Sequence, residues 1–287
     1  MEDAEIRQVE IQNTCRCSEA AGFGEAQPST TQTLGHAVFN RLAGLAVEAK
    51  ARQDFVTQAD LAVERLLRSK LTALLPGSEF LGEEDGGAVE AELLWVVDPI
   101  DGTTNYIRGL PHWCVSAALL EAGALRLGVI FAPTLDWFYL AEAGKGVSRN
   151  GQVLLREPVL PHEALIDLGT SRRQTPAVFA ALVGGLREHG LQYRVIGSAA
   201  LGLAMAASGE VDGFLEGHLW PWDVLAGKLI AQEAGCFAGE FLEGDAMRNG
   251  NAVIVAAPGT ETALFAAAEN ALADFLPRML PAKVRPD

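Results

Sequence analysis
The sequence predicts an α/β protein, one compact unit whose first half sets helices on an antiparallel sheet and whose second half alternates strands with helices. Three observations predict it. The chain has 287 residues, 49% of them hydrophobic, enough apolar material for one large domain or two packed halves. Between 115 and 151, apolar runs are separated by turn residues at the short spacing of hairpins. From 165 onward, short apolar runs alternate with stretches of helical periodicity, the pattern of α/β packing.

Residues 1–33 mix Gln, Thr, Ser and Gly with little apolar period and form a poorly defined N-terminal segment. A short helix is expected over 36–50. A clearer one follows Asp60, where Val63, Leu66, Leu67, Leu71 and Leu74 recur at helical spacing, and Pro76-Gly77 ends it. The wholly apolar run 93–97 reads as a buried strand that stops at Asp98-Pro99. Runs 115–120 and 125–132 flank Glu121-Ala122-Gly123-Ala124 as a hairpin. Residues 137–141 continue it after Pro133-Thr134, and Asn150-Gly151 marks one more tight turn. In the second half, strands are expected over 165–168, 193–196, 211–216 and 252–256. Helices are expected over 176–189, 198–208, 224–234 and 261–275. The organisation is therefore the segment 1–33, an α+β half over 34–160 and an α/β half over 161–287, the two halves enclosing a cleft.

Composition narrows the function. Acidic residues number 37 against 22 basic ones, and the formal net charge of −15 argues against a nucleic-acid surface. No apolar run reaches the roughly 18 residues of a membrane span. The N-terminus lacks a charged start followed by an apolar stretch, so no secretory signal is expected. A cytoplasmic protein is the expectation. Cys15, Cys17, Cys114 and Cys236 are too few and too scattered for a disulfide framework, and the Cys15-x-Cys17 pair lacks the partner pair of a zinc site. There is no G-x-S-x-G and no Gly-rich loop closing on Lys-Ser/Thr.

The chemistry concentrates in WVVDPIDGTTNY, residues 95–106. The apolar strand delivers Asp98 to the end of the sheet, where ligands gather in α/β proteins. Pro99 turns the chain and Asp101 returns near Asp98, so two carboxylates and the Ile100 carbonyl face one small volume. Hard oxygen donors this close suit Mg²⁺. Gly102, Thr103 and Thr104 follow at a helix start, where free N–H groups favour phosphate. Read alone, Asp-Pro-x-Asp-Gly is also an ordinary turn. Further acids stand where the same site needs them: Glu83 within Gly82-Glu83-Glu84-Asp85, Asp223 after Trp222, and Asp60 at the end of DFVTQAD. Each has a plainer reading, the first as a solvated loop and the other two as helix N-caps. Arg172, Arg173 and Arg194 are candidate contacts for a second charged group.

DFVTQAD, LGEED, WVVDPIDGTTNY and WPWDVLAGKLIAQEAG resemble, in this order, the signature segments of the inositol monophosphatase family. That family spans inositol monophosphatases, archaeal-type fructose bisphosphatases, nucleotide 3′-phosphatases and one class of histidinol phosphatases. The resemblance implies a layered αβαβα sandwich. It implies a lithium-sensitive, homodimeric phosphomonoesterase with two or three Mg²⁺ per site, hydrolysing a small phosphorylated metabolite by direct attack of metal-activated water. Residue by residue, it implies that Glu83 holds the first metal, Asp98 bridges two, Ile100 gives its carbonyl, and Asp101 and Asp223 hold the second. It makes Thr103, supported by Asp60, the residue that orients the attacking water. The N–H groups of Gly102 and Thr103 would meet the phosphate. Ser198 and Ala199 would line the pocket, and Glu216, seven residues before Asp223, would contact substrate hydroxyls.

Glu83, Asp98, Asp101 and Asp223 carry four negative charges, which would repel a phosphate ester. Two Mg²⁺ cancel them, so an acidic chain needs no basic field to hold its substrate. Inositol-1-phosphate is the expected substrate. Histidinol phosphate, fructose 1,6-bisphosphate and adenosine 3′,5′-bisphosphate are alternatives, because Trp220 stands where inositol monophosphatases often carry a histidine. An inactive regulatory relative is the reading from another class.

Overall fold
The structure, a computed structural model, describes residues 56–171 and 173–273. The segment 1–33, the expected helix over 36–50, Cys15, Cys17, Arg172 and the far end of the last expected helix lie outside the described residues.

Helix α1 (Val56–Leu74) begins before Asp60, which is therefore an interior helical residue and not an N-cap. Its buried stripe of Val63, Leu67 and Leu71 has the spacing of one helical face. Strand β1 (Glu79–Gly82) pairs in parallel with β2 (Leu93–Asp101). A short helix α2 (Thr103–Ile107) follows. The antiparallel ladder then runs through β3 (Cys114–Glu121), β4 (Ala124–Ala132), β5 (Trp137–Glu142), β6 (Gly146–Arg149) and β7 (Gln152–Leu154), giving a seven-stranded sheet in chain order. Two of its turns are as expected. Ala122 and Gly123 have φ of 49° and 76°, and Asn150 and Gly151 have 50° and 79°, the paired positive φ of hairpin turns whose twist matches the strands.

The second half alternates. It runs β8 (Leu165–Leu168), α3 (Pro176–Glu188), β9 (Gln192–Arg194), α4 (Ala199–Ser208), β10 (Gly213–Leu219), α5 (Pro221–Glu233), β11 (Phe237–Ala238), α6 (Ala246–Asn249), β12 (Asn251–Ala256) and α7 (Glu261–Ala268). Its five-stranded sheet has the order β11-β12-β10-β8-β9, with β8 parallel to both neighbours.

Three cores separate five layers. Leu67 and Leu71 of α1 pack on Trp95, Val97 and Val129 across the outer face of the first sheet. Val96 and Ile130 on its inner face meet Leu203 and Ile230 of α4 and α5, which in turn cover Phe214 and Val255 of the second sheet. Leu182, Leu186 and Leu264 of α3 and α7 close the far face over Ile166, Leu168 and Ile254. This is the expected αβαβα sandwich. The middle helices are buried along most of their length because sheets cover both of their faces. They also lie very close together: a Cβ at Gly227 would meet Leu203 Cβ at 2.5 Å. Among the described residues, no helix is long and apolar enough to cross a membrane.

Candidate active site
Strand β2 does not stop at Pro99. It continues to Asp101 through an irregular step, with Asp98 opposite Ser116 and Asp101 opposite Cys114, so three steps on β2 face two on β3. In a regular strand, residues three apart point to opposite faces; the bulge brings both carboxyls to one face. That is the inner face, continuing Leu94 and Val96. Proline is tolerated there because the ladder is already broken.

Helix α5 supplies a third carboxylate. Its N-cap is Trp220, and Asp223 is the third helical residue, reaching back to accept the Trp220 N–H at 2.9 Å. Ser116 Oγ donates to the Trp222 carbonyl at 3.0 Å, fastening the start of α5 to the strand that faces Asp98. One carboxylate oxygen each from Asp98, Asp101 and Asp223 lie within 4.8 Å of one another. Asp98 Oδ1 accepts the Ile100 N–H at 2.8 Å. Asp101 is more heavily wrapped: Ser198 Oγ and the Ala200 N–H (2.8 Å) donate to Oδ2, and the Ala199 N–H (3.3 Å) to Oδ1.

None of the ion pairs among the described residues involves these three acids. Burial, then neighbouring carboxylates, raise Asp98 and Asp223 well above the usual carboxylate range. Burial also raises Asp101, against the pull of its hydrogen bonds. Glu83 lies outside this trio, on the loop after β1 with its side chain exposed; partial desolvation, then Glu84 and Asp101, push it up to about 7. Buried acids this crowded must bind either protons or a cation. An all-oxygen donor set fits a hard divalent ion.

Around the cluster, Gly102 caps α2 with φ of 90°, and a Cβ there would meet the His112 carbonyl and Ser198 Cβ at 3.0 Å. Thr103 Oγ1 donates to the Ile100 carbonyl at 3.1 Å and not to Asp60. Asp60 is buried, its Oδ1 has no partner among the described residues, and desolvation with nearby Glu84 and Glu83 lifts it to about 7. A cavity of about 140 Å³ extends from Asp101 and Asp223 along Ser198 and Ala199 to Asp167 and Glu216. Glu216 is 3% exposed, its Oε1 is unpartnered, and burial followed by Asp223 and Asp101 raises it to about 9. Arg194 is exposed on β9 and outside that lining; it acts on the pocket through its charge on Asp167. Arg173 stacks over Trp220 at 4.7 Å.

Sequence reasoning missed Glu64. Its buried carboxylate accepts the Glu84 and Asp85 N–H groups at 2.8 and 3.0 Å and pairs with Arg68, anchoring the loop that carries Glu83. The signal was present: Asp60, Glu64 and Arg68 recur every four residues on one helical face.

Fold and acid cluster place the chain among layered α/β proteins with a carboxylate centre at the end of a strand. It belongs to the inositol monophosphatase family, whose profile matches residues 24–273. It is 36% identical over 214 residues to the Nus factor SuhB of Xylella fastidiosa, covering 73% of this chain and 77% of that one. It is 36% identical over 248 residues to the inositol-1-monophosphatase of Mesorhizobium japonicum, covering 82% and 90%. The solved inositol monophosphatase of Anabaena (Nostoc) sp. PCC 7120 matches at TM-score 0.75 and 30% identity, over 86% of this chain and 98% of that one. Mycobacterium tuberculosis SuhB matches at TM-score 0.71 and 32% identity, over 86% and 98%.

Proposed function
We propose that the protein is a cytoplasmic, Mg²⁺-dependent phosphomonoesterase acting on a small phosphorylated metabolite, inositol-1-phosphate first. The observation that carries this reading is the trio of Asp98, Asp101 and Asp223 oxygens within 4.8 Å of one another, without an ion-pairing cation among the described residues. Glu83, Asp98 and the Ile100 carbonyl would hold one ion, and Asp98, Asp101 and Asp223 a second, with two or three ions in all. When bound, Mg²⁺ supplies charge neutralisation, polarises the phosphoryl group and acidifies water.

The chain's own groups do the rest. The Gly102 and Thr103 N–H groups bind phosphoryl oxygens. Thr103 Oγ1 donates its hydrogen bond to the Ile100 carbonyl, which leaves its lone pairs free to accept from a water and orient it in line with phosphorus. Asp60, at about 7, is suited to take a proton near neutral pH. A relay from water to Asp60 through Thr103 requires that hydroxyl to rotate away from Ile100. One water O–H and the ester P–O bond break; a P–OH and an alcohol O–H form. Ser198, Ala199 and Glu216 wall the leaving group, and Arg194 stands ready for a second charged group. Asp167 and Glu216 favour a leaving group rich in hydroxyls, which ranks inositol phosphate above histidinol phosphate, fructose 1,6-bisphosphate and adenosine 3′,5′-bisphosphate.

The test is phosphate release over these four substrates, with and without Mg²⁺. Mg²⁺-stimulated release from inositol-1-phosphate supports the proposal; no release from any of them sinks it. The name Nus factor carried by several relatives favours a second reading, a regulatory protein, which the silent panel would then support.

A further inference from the structure
The segment that wraps Asp101 belongs to the opposite half of the molecule, and one residue just before it is gripped from both sides. The Ile196 N–H donates to Asp167 Oδ1, on β8, at 3.0 Å. The Ile196 carbonyl accepts from Asn105 Nδ2, on α2, at 2.9 Å. The same amide nitrogen reaches the His112 carbonyl at 2.6 Å and the Gly197 carbonyl at 3.4 Å. Asn105 is 8% exposed and Asp167 1%. Two residues beyond the grip, Ser198 begins the donors that hold Asp101. Two residues before Asn105 is Thr103.

The geometry points to Asn105 as a positioning residue that, by gripping Ile196 and Gly197 across the cleft, sets residues 198–200 on Asp101 and so fixes the shape of the acid cluster. It touches neither the substrate nor the reacting atoms. The role needs a neutral donor. A carboxylate at this position would face three carbonyl oxygens, and an apolar side chain would leave them unpaired in the interior. The inference rests on the reading of the acid cluster as a Mg²⁺ site, and its test separates the two.

The variants are Asn105→Asp, nearly the same shape, and Asn105→Ser, which carries the test if the first does not fold. Three quantities are measured on the full chain: the Mg²⁺ midpoint from titration calorimetry, amide hydrogen exchange at residues 198–200 without Mg²⁺, and Tm. Outer partners of metal ligands typically change affinity about 10–100-fold when lost, so the Mg²⁺ midpoint should rise by at least about tenfold. Exchange at 198–200 should quicken. The control is Thr260→Val, which removes a buried hydroxyl bonded to the Ala257 carbonyl at the end of β10 away from Glu216. It should lower Tm and leave both other readouts unchanged. A folded Asn105 variant with a Mg²⁺ midpoint within about twofold of wild type and unchanged exchange overturns the role. If wild type binds no Mg²⁺, the metal reading fails by itself, and exchange at 198–200 alone decides the clamp: faster supports it, unchanged refutes it.

Discussion

Replacing Asp98 with Asn should stabilise the metal-free protein while abolishing turnover. Asp98 is 2% exposed, and its carboxylate lies within 4.8 Å of those of Asp101 and Asp223. Two full charges at that separation repel by roughly 3.5 kcal/mol at an effective dielectric of about 20, so two neighbours together contribute roughly 7 kcal/mol if all three are ionised. Protonation relieves most of it. Asn is nearly isosteric and keeps Oδ1, so the 2.8 Å bond from the Ile100 N–H survives. A net gain of about 1–3 kcal/mol at pH 8 is expected, within the range for replacing buried charges. At about 2–4 °C per kcal/mol for a chain of this size, Tm should rise by about 2–12 °C.

The sign with pH follows from the raised folded-state pKa of Asp98. A raised carboxyl loses stability as pH climbs from its unfolded value through its folded one, so the wild-type penalty grows toward alkaline pH. The advantage of the Asn variant should therefore shrink between pH 8 and pH 5. The assay is thermal unfolding in EDTA at both values, repeated with Mg²⁺, where wild type should gain and the variant should not. A variant less stable than wild type in EDTA at pH 8, or one with near-wild-type turnover at saturating Mg²⁺, would refute the reasoning.

Turnover should require Mg²⁺, stop in excess EDTA, and be suppressed by Li⁺ and by Ca²⁺, which takes more ligands with looser geometry; phosphate release undiminished by chelator would contradict the site. Thr103→Ala should lower kcat by about 10²–10⁴-fold with KM little changed, because alanine keeps the N–H. Asp60→Asn should do the same and the double variant scarcely worse; steady-state losses that multiply would show Asp60 acting independently. Gly227→Ala should cost about 1–3 kcal/mol in chemical denaturation, since the new methyl meets Leu203 Cβ at 2.5 Å, and an unshifted midpoint would contradict that close packing. Light scattering at micromolar concentration should give twice the 30.5 kDa chain mass, with Ile107, Leu110, Tyr193 and Val195 offering exposed apolar contacts; a monomer mass would count against a dimer.

What was legible in the sequence was local. The turns at Ala122-Gly123 and Asn150-Gly151 form where flanking apolar runs and a glycine mark them, although Ala122 itself takes a positive φ its side chain disfavours. The run into Asp98 is buried, as its composition requires. Pro99 misled because a strand's end depends on its partner: the register of β3 turns an apparent stop into a bulge. Asp223 read as an N-cap because the sequence cannot show that Trp220 holds that place and lends its N–H to the acid three residues on. The start of α1 was placed too late because Asp60 was read as a possible N-cap, although Val56 and Ala59 already stand at helical spacing from Val63. Asn105, Ser116 and Asp167 stayed invisible because their partners are distant. Asn105 and Ile196 are 91 residues apart, Ser116 and Trp222 106 apart, and no spacing rule reaches that far.

The acids of the cluster are not equivalent, and the difference traces to the second half of the molecule. Asp98 has one backbone donor and Asp223 one, and both rise well above the ordinary carboxylate range. Asp101 is as deeply buried, yet the donors from Ser198, Ala199 and Ala200 counter the rise. Hydrogen bonds to the charged form of a carboxylate favour that form. Among the three, Asp101 is thus the one whose charged form its surroundings favour most, although burial raises it too. Those donors come from residues 198–200, which Ile196 and Gly197 hold through Asn105. The first half contributes Asp98 and Asp101 to the crowded acids that make the site attract a cation, and the second contributes Asp223 and the hydrogen bonds that hold Asp101 in place.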